Sequence, residues 1–143
     1  MTTNLADLVA AVHARTTPAA GGHLIWNGSR AQDGGTPVFK SGNKSIAARR
    51  VMFQHVHGRA PQGTVRAACQ QELCVAHVDD TAGRQRIHQQ VRALNGLGPR
   101  PDTCTNGHNQ ATEGRIDGNG HAYCEACVRA SRARRVARQR NAA

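Results

Sequence analysis

Cysteines and histidines spaced like metal ligands are the residues of this 143-residue sequence that could do chemistry. They form two groups: Cys69, Cys74 and His77 in a C-x4-C-x2-H pattern, then Cys104, His108, Cys124 and Cys127 in a C-x3-H and a C-x2-C pattern. Thiolates and imidazoles are the usual ligands of tetrahedral structural zinc. The second group supplies four ligands, whereas the first supplies three and needs a fourth. The alternative for the first group is a pair of buried free cysteines with surface histidines.

The cysteine count also bears on the compartment. Five cysteines are an odd number, and C-x2-C spacing with interleaved histidines fits metal binding better than disulfides. We therefore expect a reducing compartment, the cytoplasm of a bacterial or phage-infected cell. The sequence has no apolar run of about 18 residues and no charged-then-apolar leader. These features predict a soluble protein with no membrane association.

A strong positive charge indicates the class of partner. The formal net charge is +10, from 19 Lys and Arg against 9 Asp and Glu, and the sequence pI is near 10.9. Polyanions are the natural partners of such a chain, although charge can also serve solubility alone. Six arginines form a dense block near the end, "RASRARRVARQR": Arg129, Arg132, Arg134, Arg135, Arg138 and Arg140. This block has almost no apolar stripe, so we expect it to be solvated or disordered until it contacts phosphate.

The apolar pattern predicts a mixed α+β chain with three helices and a few short strands. The helical segments are "TNLADLVAAVHAR", "IAARRVMFQHVH" and "AGRQRIHQQVRAL", and the strand segments are "HLIWNG" and "GGTPVFKSGNKSI". Thr3 or Asn4 is the expected N-cap of the first helix, and "TTPAAGG" is expected to break it. Gly58 and Pro61 are expected to end the second helix. Hydrophobic residues make up 38 % of the chain but aromatic residues only 3 %, so a large apolar core is not expected.

Several of these segments together resemble a known family. "H-x2-W-x-G" from His23, a Gly-rich β segment ending at Phe39, "A-R-R-x2-F-x4-G-x2-P-x-G" from Ala48 to Gly63, and the C-x4-C-x2-H hairpin follow in the order seen in small HNH endonucleases of phages and mobile elements. More distantly, they resemble the His-Cys box homing endonucleases. The resemblance covers residues 23 to about 95 and implies a ββα-metal core, in which a hairpin histidine is the general base and the next helix binds a divalent ion. The family also has a cysteine where this chain has His23, which implies that His23 completes a zinc site with Cys69, Cys74 and His77.

The same resemblance exposes missing catalytic groups. The general base is expected two residues before the first hairpin cysteine, where this chain has Ala67, which cannot accept a proton from water. The metal-binding Asn is expected near Gln85 and Arg86, and arginine cannot ligate Mg²⁺. Catalytic residues are therefore predicted to be absent, and the chain is more readily interpreted as a non-enzyme. Rescue of activity by another histidine is the alternative, and its candidates are His55, His57 and His88.

The sequence thus predicts four segments with two structural Zn²⁺ ions. These are an HNH-like core with an N-terminal helix at 1–95, a linker at 96–103, a zinc-knuckle or ribbon unit at 104–128, and a basic arm at 129–143. Two closed sites would each contribute on the order of 10 kcal/mol to folding. Neither would retain an open position for a catalytic water.

The predicted function is binding of double-stranded DNA without cleavage, in a regulator of transcription or of a phage or mobile element. The arginines expected to contact phosphate, besides the six in the basic block, are Arg49, Arg50, Arg66, Arg84 and Arg86. One alternative is a protein-binding inhibitor or modulator of a host nucleic-acid machine, with an acidic protein surface as its partner. Another is an active HNH endonuclease or nickase. A second copy of the chain is an additional candidate partner.

Overall fold

The computed structural model describes residues 4–31 and 35–141 and shows a small mixed α+β protein. It divides into two compact units, Met1–Gly83 and Arg84–Ala143. The elements of the first unit are α1 (Leu5–His13), β1 (Thr16–Ala19), β2 (His23–Trp26), β3 (Val38–Ser41), β4 (Lys44–Ala47), α2 (Ala48–His57), β5 (Arg66–Ala67) and β6 (Val78–Asp79). Helix α3 (Thr81–Leu94) contains the boundary, and the second unit continues with α4 (Gln110–Glu113), β7 (Gly114–Ile116), β8 (Ala122–Cys124) and α5 (Glu125–Asn141). The strands form four antiparallel pairs, β1–β2, β3–β4, β5–β6 and β7–β8.

The first helix has the cap and the buried face expected of it. The Asn4 side chain accepts a hydrogen bond of 2.8 Å from the Asp7 backbone N–H, and Val9 and Val12 are buried. Thr3, the other candidate cap, lies outside the described residues. Helix α2 ends at Gly58, whose φ of 63° is the left-handed conformation that glycine adopts without steric cost. Both helix ends were therefore predicted correctly.

Strand β1 lies where the sequence analysis expected only a break. It pairs with β2 in a register that places Ala19 opposite His23, and the turn contains Gly21 and Gly22, both with positive φ. Three of its four residues are exposed, so the strand has no apolar alternation that would reveal it. The expected strands "HLIWNG" and "GGTPVFKSGNKSI" correspond to β2 and to β3 with β4, although Gly34 lies outside the described residues.

The core of the first unit contains the large aromatic side chains of this unit. Trp26 and Phe53 are fully buried, and Phe39 packs beside Trp26 with ring centroids 6.3 Å apart. The turn between β5 and β6 reaches this core, because Cys74 and Val75 are also fully buried. A cysteine-bearing turn is thus part of the apolar core.

Helix α3 follows the β5–β6 pair and begins at a buried carboxylate. Asp80 is fully buried, and its Oδ1 accepts a hydrogen bond of 2.8 Å from the Gly83 N–H in the first turn of α3. The helical pattern expected through Ile87 and Leu94 is present, but these two side chains are 52 % and 87 % exposed. The first unit was expected to end at residue 95, whereas the compact unit ends at Gly83. In the described part of the chain, no helix is both long enough and apolar enough to cross a membrane.

Asp80 should stabilise the first unit through its ionised form. Its Oδ2 accepts hydrogen bonds from Arg59 at 2.7 Å and from the Gln62 N–H at 2.8 Å, and the Arg59 guanidinium holds the pKa of Asp80 far below its usual range. Because the pKa in the folded state lies below the unfolded value of about 3.9, this stabilisation is complete above about pH 5 and is lost only in stronger acid.

Asp80→Asn is therefore expected to lower the free energy of unfolding by about 1–2 kcal/mol, a figure discounted because Arg59 is partly exposed. Urea unfolding of the metal-loaded protein measures the loss, and Asp7→Asn, at an exposed residue of α1, is the control. The loss should be constant from about pH 5 to 8. A loss that shrinks between pH 8 and pH 6 would contradict the assignment.

Candidate metal centres

The first ligand cluster joins a turn of β1–β2 to the β5–β6 turn. His23 begins β2 directly after the Gly21–Gly22 turn, whereas Cys69, Cys74 and His77 lie between β5 and β6. Cys69 Sγ lies 3.6 Å from His23 Nδ1, Cys74 Sγ 3.8 Å from His77 Nδ1, and the two Nδ1 atoms 3.0 Å apart. The two imidazole rings meet edge to face, with centroids 4.6 Å apart. Four donors thus converge from segments that are distant in sequence.

The second cluster lies within the second unit. Cys104 and His108 come from the loop before α4, Cys124 ends β8, and Cys127 lies in the first turn of α5. His108 Nδ1 is 3.4 Å from Cys104 Sγ, 3.6 Å from Cys124 Sγ and 3.3 Å from Cys127 Sγ. Cys104 Sγ and Cys127 Sγ are 3.7 Å apart. One imidazole and three thiols therefore face one point.

Both donor sets fit a tetrahedral metal ion. Around an ion with metal–sulfur bonds of about 2.3 Å and metal–nitrogen bonds of about 2.0 Å, sulfur and nitrogen donors lie about 3.5 Å apart and two sulfurs about 3.8 Å apart. The observed distances lie close to these values, and within each cluster all four ligand atoms lie within 4.8 Å of one another. The two groups, His23 with Cys69, Cys74 and His77, and Cys104 with His108, Cys124 and Cys127, could each hold one metal ion. They contain the same eight residues that the sequence analysis selected.

The surroundings of one cysteine in each cluster favour its thiolate form. Burial raises the pKa of the Cys74 thiol, but hydrogen bonds from the His77 backbone N–H, the His23 side chain and two further N–H groups outweigh it and bring the pKa to about 6. For Cys104, desolvation likewise raises the pKa, and hydrogen bonds from the backbone and side chain of His108 and from the backbone of Asn106 bring it to about 6. Thiolates are the metal-binding form of cysteine, so Cys74 and Cys104 are suited to ligation at neutral pH.

Arg49 has a structural partner that the sequence analysis did not foresee. It was expected to contact phosphate, but its Nε donates to the Cys74 backbone carbonyl at 3.1 Å and its Nη2 donates to the Glu72 carbonyl. Burial lowers the pKa of Arg49, while the nearby cysteines and Glu72 oppose that shift. Two hydrogen bonds from the Arg49 guanidinium therefore stabilise the β5–β6 turn, which carries three ligands of the first cluster.

The other predicted phosphate contacts differ in their exposure. Arg50, Arg66 and Arg86 are exposed, although Arg50 Nη1 donates to the Gly63 carbonyl at 3.2 Å, and Arg84 is half-buried. All six arginines of the terminal block are exposed on α5. The block is therefore solvated, as expected, but it is helical.

Ala67, at the expected position of the general base, lines a cleft of about 560 Å³ with Arg49, Arg66 and Thr36. Among the described residues that line this cleft, none is a histidine. Two of the histidines considered for rescue have other partners. His57 stacks on Phe53 with centroids 4.2 Å apart, and His88 Nδ1 lies 2.7 Å from the Ile116 carbonyl oxygen.

Three supporting residues escaped the sequence analysis. Arg49 braces one cluster, Asp80 caps α3, and the Asn106 side chain donates to Cys127 Sγ at 3.2 Å. Asn106 and Asp80 each left a local signal. Asn106 lies inside the C-x3-H loop, where a donor can reach a ligand sulfur, and Asp80 stands just before α3 and caps the Gly83 N–H three residues on. Arg49 and the second oxygen of Asp80 bind groups about twenty residues away, which the neighbouring sequence does not indicate.

Comparison with known proteins gives no relative. No family model matches the sequence, and neither a curated protein nor a solved structure is significantly similar to it.

Proposed function

We propose that this chain binds double-stranded DNA without cutting it, on a scaffold stabilised by two zinc ions. The observation that carries the proposal is the arginine-rich helix α5, which starts at a four-ligand cluster and has all six of its arginines exposed. Arg129 pairs with Glu113, and the other five arginines form no ion pair within the described residues and are available to phosphate, which is the dominant source of affinity in protein–DNA binding.

Zinc is the metal that the donor sets support best. Three thiols with one imidazole, and two thiols with two imidazoles, are typical of structural zinc, and the donor spacing suits a tetrahedral ion. Mg²⁺ and Ca²⁺ prefer oxygen ligands, which neither cluster offers. Each zinc would be held by four protein groups, so its role would be to fold its own unit, and the second zinc would also fix the start of α5.

The absence of cleavage is proposed from the cleft at Ala67. Phosphodiester hydrolysis needs a group that activates water, and alanine at this position cannot do so. The described lining of the cleft contains no histidine; besides Arg49, which is bound to the Cys74 and Glu72 carbonyls, it contains Arg66 and one carboxylate, Glu72. The described cleft thus lacks an imidazole base, and Arg66 is exposed for a phosphate contact.

The likeness to HNH endonucleases supports a core of that type. The order β5, β6, α3 is that of a ββα unit, with three of the four ligands of the first cluster in its turn. On this proposal the protein derives from a phage or mobile-element nuclease, has lost the general base and the metal-binding Asn, and acts as a regulator through binding alone.

A salt-titrated shift assay on the zinc-loaded protein tests the proposal. Four or more neutralised phosphates give a log–log salt slope of about −3.6 or steeper, so affinity for a labelled duplex should fall about a hundredfold between about 50 and 200 mM salt. A parallel lane with supercoiled plasmid and Mg²⁺ or Mn²⁺ should show no nicking.

Two results would overturn the proposal. Metal-dependent nicking that survives purification and disappears in a histidine variant would identify an active nickase. No duplex affinity at low salt, together with capture of a protein partner after nuclease treatment, would favour an acidic protein surface as the ligand.

A further inference from the structure

Helix α5 is exposed beyond its first turn. It has 17 residues, which is about 25 Å of helix, and none of its residues is buried. Its first turn is fixed by Cys127 in the second cluster and by an ion pair of 3.0 Å between Glu125 and Arg115, and Arg129 in the next turn pairs with Glu113 at 2.7 Å. Residues 129–141 are all exposed, so α5 extends from a fixed base.

The arginines of α5 lie on more than one side of the helix. At 3.6 residues per turn, Arg140 lies on one flank, beside Arg129 with its Glu113 partner, and Arg134 and Arg138 lie on the opposite flank. Between the flanks runs a narrow face of small side chains, formed by Ala126, Ala130, Ala133 and Ala137. A flat acidic surface would contact only one flank and leave the arginines of the other without a partner.

We propose that α5 docks in the major groove of duplex DNA, with its two arginine flanks on the phosphates of the two strands. The inference rests on the proposed function and specifies its geometry. A helix is about 10–12 Å across, which fits the B-form major groove of about 12 Å but not the minor groove of about 6 Å. The major groove of A-form RNA is too deep and narrow for such entry, so DNA is the favoured duplex.

The face between the flanks then meets the floor of the groove. Alanine methyl groups allow close approach but offer no donor or acceptor to base edges, so binding should depend little on sequence. Arg135 lies on the side opposite this face and should remain in solvent. The geometry therefore predicts a phosphate contact for Arg134 and none for Arg135, although both are exposed arginines.

Arg134→Gln and Arg135→Gln form the matched pair for the first test. Docking in the groove predicts that Arg134→Gln lowers the magnitude of the log–log salt slope on duplex DNA by about 0.9, whereas Arg135→Gln changes it little. Equal effects of the two variants would show that α5 acts as a diffuse positive charge and would overturn the groove geometry.

The second test uses DNA whose major groove is occupied by a base modification. Duplex DNA with glucosylated 5-hydroxymethylcytosine, which occupies the major groove, should bind at least about tenfold more weakly than the unmodified duplex, while the minor-groove ligand distamycin should not displace the protein. Ala133→Leu, which adds bulk to the small face, should weaken binding more than Ser131→Leu, which adds similar bulk on the far side. Circular dichroism and zinc content show whether these variants keep their fold.

The outcomes distinguish failure of docking in the major groove from failure of DNA binding itself. Equal binding to plain and glucosylated duplex, or displacement by distamycin, would overturn docking in the major groove while leaving DNA binding in place. Absence of binding to unmodified duplex at low salt would overturn both.

Discussion

Removal of metal with a chelator should unfold both units of the protein and abolish DNA binding, and added zinc should restore both. A structural zinc site contributes on the order of 10 kcal/mol to folding, whereas a whole small domain is stable by only about 5–15 kcal/mol. The core here has three buried aromatic residues, Trp26, Phe39 and Phe53, in the described chain. Apolar burial alone therefore contributes too little free energy to keep the units folded once the metal has been removed.

Replacing one metal-binding histidine at a time tests the two metal centres separately. A histidine outside the clusters is the matched control in each unit. His108→Ala should lower zinc content to one ion per chain and unfold the second unit, whereas His121→Ala, on an exposed residue of the same unit, should leave both ions bound. His23→Ala and His13→Ala form the corresponding pair in the first unit. Elemental analysis counts the ions and circular dichroism reports the fold. A metal content of one ion or none in the unaltered protein would refute the two-site assignment.

The metal ligands could be predicted from sequence because most of their geometry is local. Cys74 and His77, or Cys124 and Cys127, are three residues apart, a spacing that allows two side chains of one turn to face the same ion. His23 is 46 residues from Cys69, and only the family resemblance indicated it. The helix ends at Asn4 and Gly58 were predictable for a similar reason, since a cap is chosen by the few residues beside it.

The features that the sequence analysis did not foresee depend on partners distant in the chain. Arg49 resembles any exposed helix arginine, and only the folded turn supplies the carbonyls of Glu72 and Cys74 that bind it. Strand β1 contains Pro18 and has little apolar content, so its conformation depends on pairing with β2. Helix α5 was expected to be solvated or disordered because no face could be buried. The second cluster, with Cys127 in the first turn, gives that helix a fixed start which composition does not show.

Replacing the five arginines of α5 beyond Arg129 with glutamine should remove most of the duplex affinity without unfolding the protein. The positions are Arg132, Arg134, Arg135, Arg138 and Arg140. Glutamine has nearly the helix propensity of arginine, and the variant keeps both Cys127 and the Arg129–Glu113 ion pair. Three of the five, Arg134, Arg138 and Arg140, lie on the flanks of α5, and each lost phosphate contact lowers the magnitude of the salt slope by about 0.9, so the slope should flatten by about three.

The matched control places lysine at the same five positions. Lysine keeps the charge, so the salt slope should be nearly that of the unaltered protein, although loss of bidentate contacts should weaken binding moderately. Because the phosphate backbone is the same in every sequence, the glutamine variant should lose affinity equally for two unrelated duplexes. If it instead lost the preference between them while keeping its salt slope, α5 would be reading bases. If neither quantity changed, the arginines of α5 would not be part of the DNA surface, and binding would have to be sought at Arg50, Arg66 and Arg86, which are also exposed.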